Sequence, residues 1–211
     1  MRLKSALRRG VAAAVIAGIV VSSGIPAYAK TWNIADGDIT VKGASDESGN
    51  YNNVKQGEKD FEKDEGETVI TGESDKNTVT IDTSKGDVDV TFDDLKIDVS
   101  GKAEGDVSGD GPVDAGKAAV TVQGDHDATI ELDGDNELKS GAGHAGLEHN
   151  KTDTSGELTI QDKDKNGSLE AAGGFKGAGI GSAGSNDAQV KITGGNITAT
   201  SDDWGAGIGS G

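Results

Sequence analysis

The sequence predicts an all-β chain wound as a right-handed parallel β-helix, a solenoid of about four to five coils. Three observations predict it. The block Gly177-Ala178-Gly179-Ile180-Gly181-Ser182-Ala183 returns 28 residues later as Gly205-Ala206-Gly207-Ile208-Gly209-Ser210-Gly211. A Gly-rich block recurring at a fixed period marks one supersecondary unit stacked on copies of itself. Second, apolar residues alternate with polar ones in short runs. Val88-Asp89-Val90-Thr91-Phe92 alternates, Asp93-Asp94 breaks the parity, and Leu95-Lys96-Ile97-Asp98-Val99 resumes it, as expected of two half-buried strands meeting at a tight corner. Third, beyond residue 29 no 3.6-residue period is present and the only proline is Pro112, which leaves no amphipathic helix to place.

Residues 1–29 read as a cleaved secretory signal. Arg2, Lys4, Arg8 and Arg9 precede an apolar and small-residue run from Val11 to Val21, and Ala27-Tyr28-Ala29 supplies an A-x-A cleavage site before Lys30. The apolar run is too short for a permanent bilayer anchor. Residues 30–67 follow as N-terminal capping strands and a polar loop. Trp32 to Val41 enters the stack, while 44–67 is acidic and Gly/Asn-rich with only Tyr51, Val54 and Phe61 as anchors.

Residues 68–211 carry the repeats. Thr129-Ile130-Glu131-Leu132, a turn at Asp133-Gly134-Asp135-Asn136, Glu137-Leu138-Lys139 and the segment Gly141 to Leu147 form one unit. Leu158-Thr159-Ile160, a polar turn, Ser168-Leu169-Glu170-Ala171 and the first GAGIGSA block form the next; Val190-Lys191-Ile192, Gly194-Gly195, Asn196-Ile197-Thr198-Ala199 and the second block form the last. Three short strands per unit fit a β-helix coil better than a four-stranded propeller blade or a leucine-rich horseshoe. Stacking coils about 4.8 Å apart buries the inward Val, Ile and Leu in columns. Gly101 to Gly116, with Asp106, Asp110 and Asp114, reads as a loop bulging from the stack. The chain stops inside its repeat with an open rung, so further coils or domains are expected C-terminal to it in the intact protein.

Composition bounds the function. Signal removal takes four of 20 basic residues and none of 37 acidic ones, leaving a formal charge of −21. All three arginines are in the signal. Such an acid excess excludes nucleic acid and anionic lipid as partners. There is no cysteine, so no disulfide staples this exported chain. No second apolar run of membrane length follows the signal.

Candidate chemistry is sparse. Asp162-Lys163-Asp164-Lys165-Asn166-Gly167 matches the first half of a calcium loop, with Glu170 at the ninth position but Gly173 where the bidentate Glu belongs; the same residues suit a tight turn. Asp162, Asp164, Asn166 and Glu170 are the candidate calcium ligands, and no cofactor is otherwise required. His126, His144 and His149 lack a metal-site spacing and read as surface histidines. Sugar recognition favours an aromatic ring against a pyranose face. Of the mature aromatics Trp32, Tyr51, Phe61, Phe92, Phe175 and Trp204, Phe92 has an inward parity, while Trp204 beside Asp202-Asp203 is the best stacking candidate, with Phe175 at the equivalent place one repeat earlier. The carboxylate pairs Asp93-Asp94 and Asp202-Asp203 read as solvated corners rather than a glycosidase pair, since strand neighbours point to opposite faces.

Ala35 to Val41, Gly134 to Glu148 and the two GAGIGS blocks resemble a family of secreted β-helical, carbohydrate-binding domain-containing surface proteins of Gram-positive gut and soil bacteria. The resemblance spans most of residues 31–211 and implies contact with extracellular polysaccharide, at the cell surface and inside a larger chain. It hands over no catalytic residue. The function expected is a secreted non-catalytic module that binds extracellular polysaccharide. The alternatives are a passive stalk of a larger surface protein and, third, a polysaccharide lyase or hydrolase.

Overall fold

The computed structural model describes residues 29–47, 49–101, 116–150, 155–183, 187–202 and 204–211. The signal segment 1–28 and the carboxylates Asp106, Asp110 and Asp114 lie outside the described residues. Within them the chain is all-β, with one 3-10 turn at Ile34–Asp36 and no α-helix. No helix is long and apolar enough to cross a membrane among the described residues. The strands are β1 (Lys30–Asn33), β2 (Ile39–Asp46), β3 (Gly49–Gln56), β4 (Glu62–Asp64), β5 (Thr68–Ser74), β6 (Val79–Asp82), β7 (Val88–Asp98), β8 (Val120–Gln123) and β9 (Ala128–Asp133). They continue as β10 (Asp135–Lys139), β11 (Leu147–His149), β12 (Leu158–Gln161), β13 (Ser168–Gly173), β14 (Ile180–Gly181), β15 (Val190–Ile192), β16 (Asn196–Ser201) and β17 (Ile208–Gly209).

Two sheets hold these strands. The first runs β17-β14-β11-β8-β6-β2-β3-β4 and is parallel from β17 to β2. In the second, the first half of β7 pairs with β9, and β9 with β12 and β15; the second half pairs with β10, and β10 with β13 and β16. Strand β5 lies on the other side of β7, and β1 beyond it, again in parallel. Apart from the antiparallel run β2-β3-β4, the chain alternates between the sheets, so parallel neighbours in each are separated by a visit to the other.

Register explains the repeat. Ile39, Val79, Val120, Leu147, Ile180 and Ile208 are successive partners across the first sheet, and the 28-residue return is the step from Ile180 to Ile208. The first five of these are at most 1% exposed, whereas Ile208 is 53% exposed. Ile70, Phe92 and Leu132 align likewise in the second sheet, and all are fully buried. Both inward faces belong to one continuous apolar cluster. Each buried Val, Ile, Leu or Phe contributes about 1.5–3 kcal/mol relative to exposure. The Gly-rich block has a steric cause: a Cβ on Gly181, whose φ is +137°, would collide with the Gly209 carbonyl of the next strand.

The parity break at Asp93-Asp94 is real but does not divide the strand. Strand β7 is continuous, with Asp94 at φ 51° and a register shift on β5 between Thr71 and Gly72. One left-handed residue lets Phe92 and Leu95 both point inward, and the Asp94 Oδ1 accepts the Asp135 N–H at the start of β10.

The stretch that sequence assigns to a polar loop after Ala44 is paired. Strand β2 runs on to Asp46 and forms an eight-residue antiparallel ladder with β3, which pairs in turn with β4. Its inward positions hold Asn52, Val54 and Gln56, and the amides are satisfied. Asn52 Nδ2 donates to Thr68 Oγ1 and the Asp89 carbonyl, and Gln56 Nε2 to the Asn33 carbonyl.

Candidate functional site

The outward side chains of the second half of β5 and β7, and of β10, β13 and β16, form ladders because parallel register stacks like positions. One ladder runs Glu73, Lys96, Glu137, Glu170, Thr198. Its neighbour runs Asp98, Lys139, Ala172, Thr200. Two cavities open along this face. The larger, about 480 Å³, is lined by Glu73, Asp75, Lys76, Lys96, Asp98, Glu137 and Lys139, with Ala35, Ser74 and Ile97. The smaller, about 270 Å³, is lined by Ser100, Lys139, Ser140, Ala142, Ala172, Gly173, Gly174, Phe175 and Asp202. Lys139 belongs to both, so they adjoin as one groove crossing four strands, β5, β7, β10 and β13, roughly 14 Å at about 4.8 Å per step, with Asp202 just past β16 at its end.

Its charges are engaged with one another. Lys139 Nζ is in close contact with Glu137 Oε1, and that hydrogen bond, with the Glu137 charge, raises the lysine's pKa. Lys96 lies 3.8 Å from Glu73. Asp98 accepts the Ser100 N–H (3.1 Å) and O–H (2.6 Å) on one oxygen; these bonds hold its pKa below the ordinary carboxylate value against the opposing effect of burial.

Of the ligand candidates read from sequence, Phe175 and Asp202 both line the smaller cavity. Trp204 is not among the cavity's lining residues and is 81% exposed. Asp203 lies outside the described residues. The 28-residue register sets Trp204 opposite Lys176 rather than Phe175, and Lys176 opposite Gly143. All three share a left-handed backbone, with φ of 82° at Gly143, 60° at Lys176 and 78° at Trp204. A glycine corner suffers nothing from this, but a bulky side chain there is strained by about 1–2 kcal/mol. Trp204 is therefore both strained and exposed. Of the remaining aromatics, Trp32 and Phe92 are core and Phe61 is 44% exposed.

The calcium candidates divide. Asp162 and Asp164 gather with Glu131 of the neighbouring strand β9, each offering an oxygen within 4.8 Å of the others. Asp162 Oδ1 also accepts the Asn166 N–H, closing the turn. Glu170 stands instead in the groove ladder between Glu137 and Thr198. Glu131 already faces a cation: its Oε1 accepts the Lys163 N–H at 2.6 Å, and Oε2, which has no hydrogen bond, lies 3.6 Å from Lys163 Nζ.

The histidines depart from the surface expectation at one position. His126 is exposed, but His149 is 2% exposed on β11, in register with Val122. Its pKa is lowered by burial. His144 is half-buried and its Nδ1 lies 2.9 Å from the buried Glu148, which also accepts from the Ala145 N–H and Asn150 Nδ2.

Sequence reasoning missed Glu73, Lys96, Asp98, Glu137 and Lys139. Their signal was present as the outward member of each alternation, and only register reveals that these positions lie side by side. No family model matches the chain, and neither the curated proteins nor the solved structures hold a match to it.

Proposed function

We propose that the chain is a right-handed parallel β-helix of the class that presents a ladder-lined face to an extended polymer. Its particular function, on this reading, is the non-catalytic binding of extracellular polysaccharide by a secreted protein, within a larger surface chain. The supporting observation is the groove that crosses four parallel strands and ends at Phe175 and Asp202, with Trp204 exposed outside its lining. A groove built from like positions on successive coils meets a repeating polymer with repeating contacts, so weak unit affinities add along its length. Supporting the non-catalytic reading, three of the five groove carboxylates are engaged within the protein, Glu73 and Glu137 by lysine and Asp98 by Ser100. No cofactor is assigned. Calcium enters as a variable of the experiment because Glu131, Asp162 and Asp164 are close enough to share an ion.

The test is a glycan array with the mature chain, in calcium and in chelator, repeated with Trp204→Gly and Phe175→Ala. Glycine suits the left-handed corner, so Trp204→Gly keeps or raises the melting temperature. Loss of the ring weakens binding about tenfold, in line with about 1.4 kcal/mol from one stacked aromatic. Silence on every glycan from a folded chain leaves the passive stalk as the reading, and falling viscosity of a polysaccharide solution replaces binding with lyase or hydrolase activity.

A further inference from the structure

The groove is a polar surface whose formal charges run against an anionic ligand. Its lining holds five carboxylates against three lysines. Two of those lysines are paired within the protein, Lys139 closely with Glu137 and Lys96 more loosely with Glu73 at 3.8 Å. The third, Lys76, sits beside Asp75 in the same turn. No arginine follows Arg9, so the groove has no guanidinium fork, the group that matches a carboxylate or sulfate with two parallel hydrogen bonds. Recruiting Lys139 or Lys96 to an anion would strip a carboxylate of its partner and leave it facing a second negative charge. The chain as a whole carries a formal charge of −17, which adds a repulsion that ordinary salt only partly screens.

What the groove offers in return is hydrogen bonding without net cation character. Carboxylate oxygens accept from hydroxyls, lysine ammoniums donate, and Phe175, with Lys176 Nζ 5.4 Å from its ring centroid, presents an apolar surface. Alternating acceptors and donors at the spacing of stacked strands suit a polymer whose own groups are hydroxyls.

We infer, on the premise that this groove is the glycan site, that its ligand is an uncharged polysaccharide and that uronate-bearing and sulfated polymers are rejected. The experiment uses the mature chain in isothermal titration and affinity electrophoresis against two sets of probes. One set is neutral: a β-glucan, a xylan and a mannan. The other is anionic: polygalacturonate and heparin. Each is tested at about 20 and about 300 mM NaCl, in calcium and in chelator. The expected result is binding to at least one neutral polymer, with affinity changing less than about twofold between the two salt concentrations, and none to either anionic polymer under any condition. Binding to polygalacturonate or heparin, whether direct or only through calcium, overturns the inference and leaves the glycan reading standing. Silence from both sets, with circular dichroism confirming a folded β protein, overturns both together.

Discussion

At the scale of single residues, His149 joins sequence, packing and pH. The inward column that carries Val41, Ile81 and Val122 in successive strands carries an imidazole at the fourth. That ring is 2% exposed and its Nδ1 has no hydrogen-bond partner. Burial disfavours the charged form and lowers the pKa from 6.5, while a bond to the Gln189 backbone pulls weakly the other way. Its neighbour Glu148 is occupied by His144, Asn150 and a backbone amide and supplies no counter-charge to an inward ring. In the unfolded chain the histidine takes up a proton as pH falls through 6.5, and in the folded chain it does so only at lower pH. Stability is therefore full above that value and declines as pH drops below it, by up to about 1.4 kcal/mol per pH unit. Urea unfolding at about pH 7.5 and about pH 5.5 should give a drop in wild type that shrinks in His149→Leu. Equal drops in the two proteins would remove His149 as the cause. The sequence concealed this residue because Leu147-Glu148-His149 is too short a run to reveal which parity faces inward. Only its register with Val120-Thr121-Val122 settles it.

At the scale of elements, the segment from β2 to β5 is held by polar groups where the rest of the stack relies on apolar columns. Asp64, at the end of the three-residue strand β4, is 3% exposed and accepts from Trp32 Nε1 and Thr68 Oγ1, each at 3.0 Å. Asn52 completes the network through Thr68 Oγ1. This is why residues 44–67 read as a loop. Alternation signals a strand only when the inward residue is apolar, and here Asn52, Gln56 and Asp64 take inward places because other elements satisfy them. The repeats of β9 to β16 were legible for the opposite reason, since Val, Ile and Leu mark most inward positions there, with Asn136 and His149 the polar exceptions. Removing the shared acceptor should be costly. Asp64→Ala leaves the Trp32 indole N–H buried without a partner, and about 2–3 kcal/mol of destabilisation is expected. The urea midpoint followed by Trp32 fluorescence reads this. A shift worth less than about 0.5 kcal/mol would mean the network contributes shape rather than stability.

At the scale of the whole molecule, stability should vary along the stack. Strands that pair on both sides, such as β8, β9 and β12, are locked between neighbours above and below. Strands β15, β16 and β17 pair on one side only. Their inward residues show the consequence, with Ile192 at 38% exposure and Ile208 at 53%, where their partners Ile160 and Ile180 are fully buried. In a parallel sheet each inner strand is stabilised chiefly by its interfaces with the strands on either side, so a strand with one interface opens before one with two. The sequence disclosed this periodicity only at its end. Aligned positions Val79, Val120, Leu147, Ile180 and Ile208 are 41, 27, 33 and 28 residues apart, because corner segments vary in length while the strands between them keep register. A repeat search sees the one step whose corners also match in residue type; the columns tolerate the rest. Hydrogen exchange on the 211-residue polypeptide should expose the gradient: amides of β15–β17 are expected to exchange about 100-fold faster than those of β8, β9 and β12, a difference of about 2.7 kcal/mol in opening free energy. Uniform protection from β6 to β17 would mean that the stack opens as one cooperative unit, and that the burial lost at Ile192 and Ile208 is recovered by a contact the open end makes in solution.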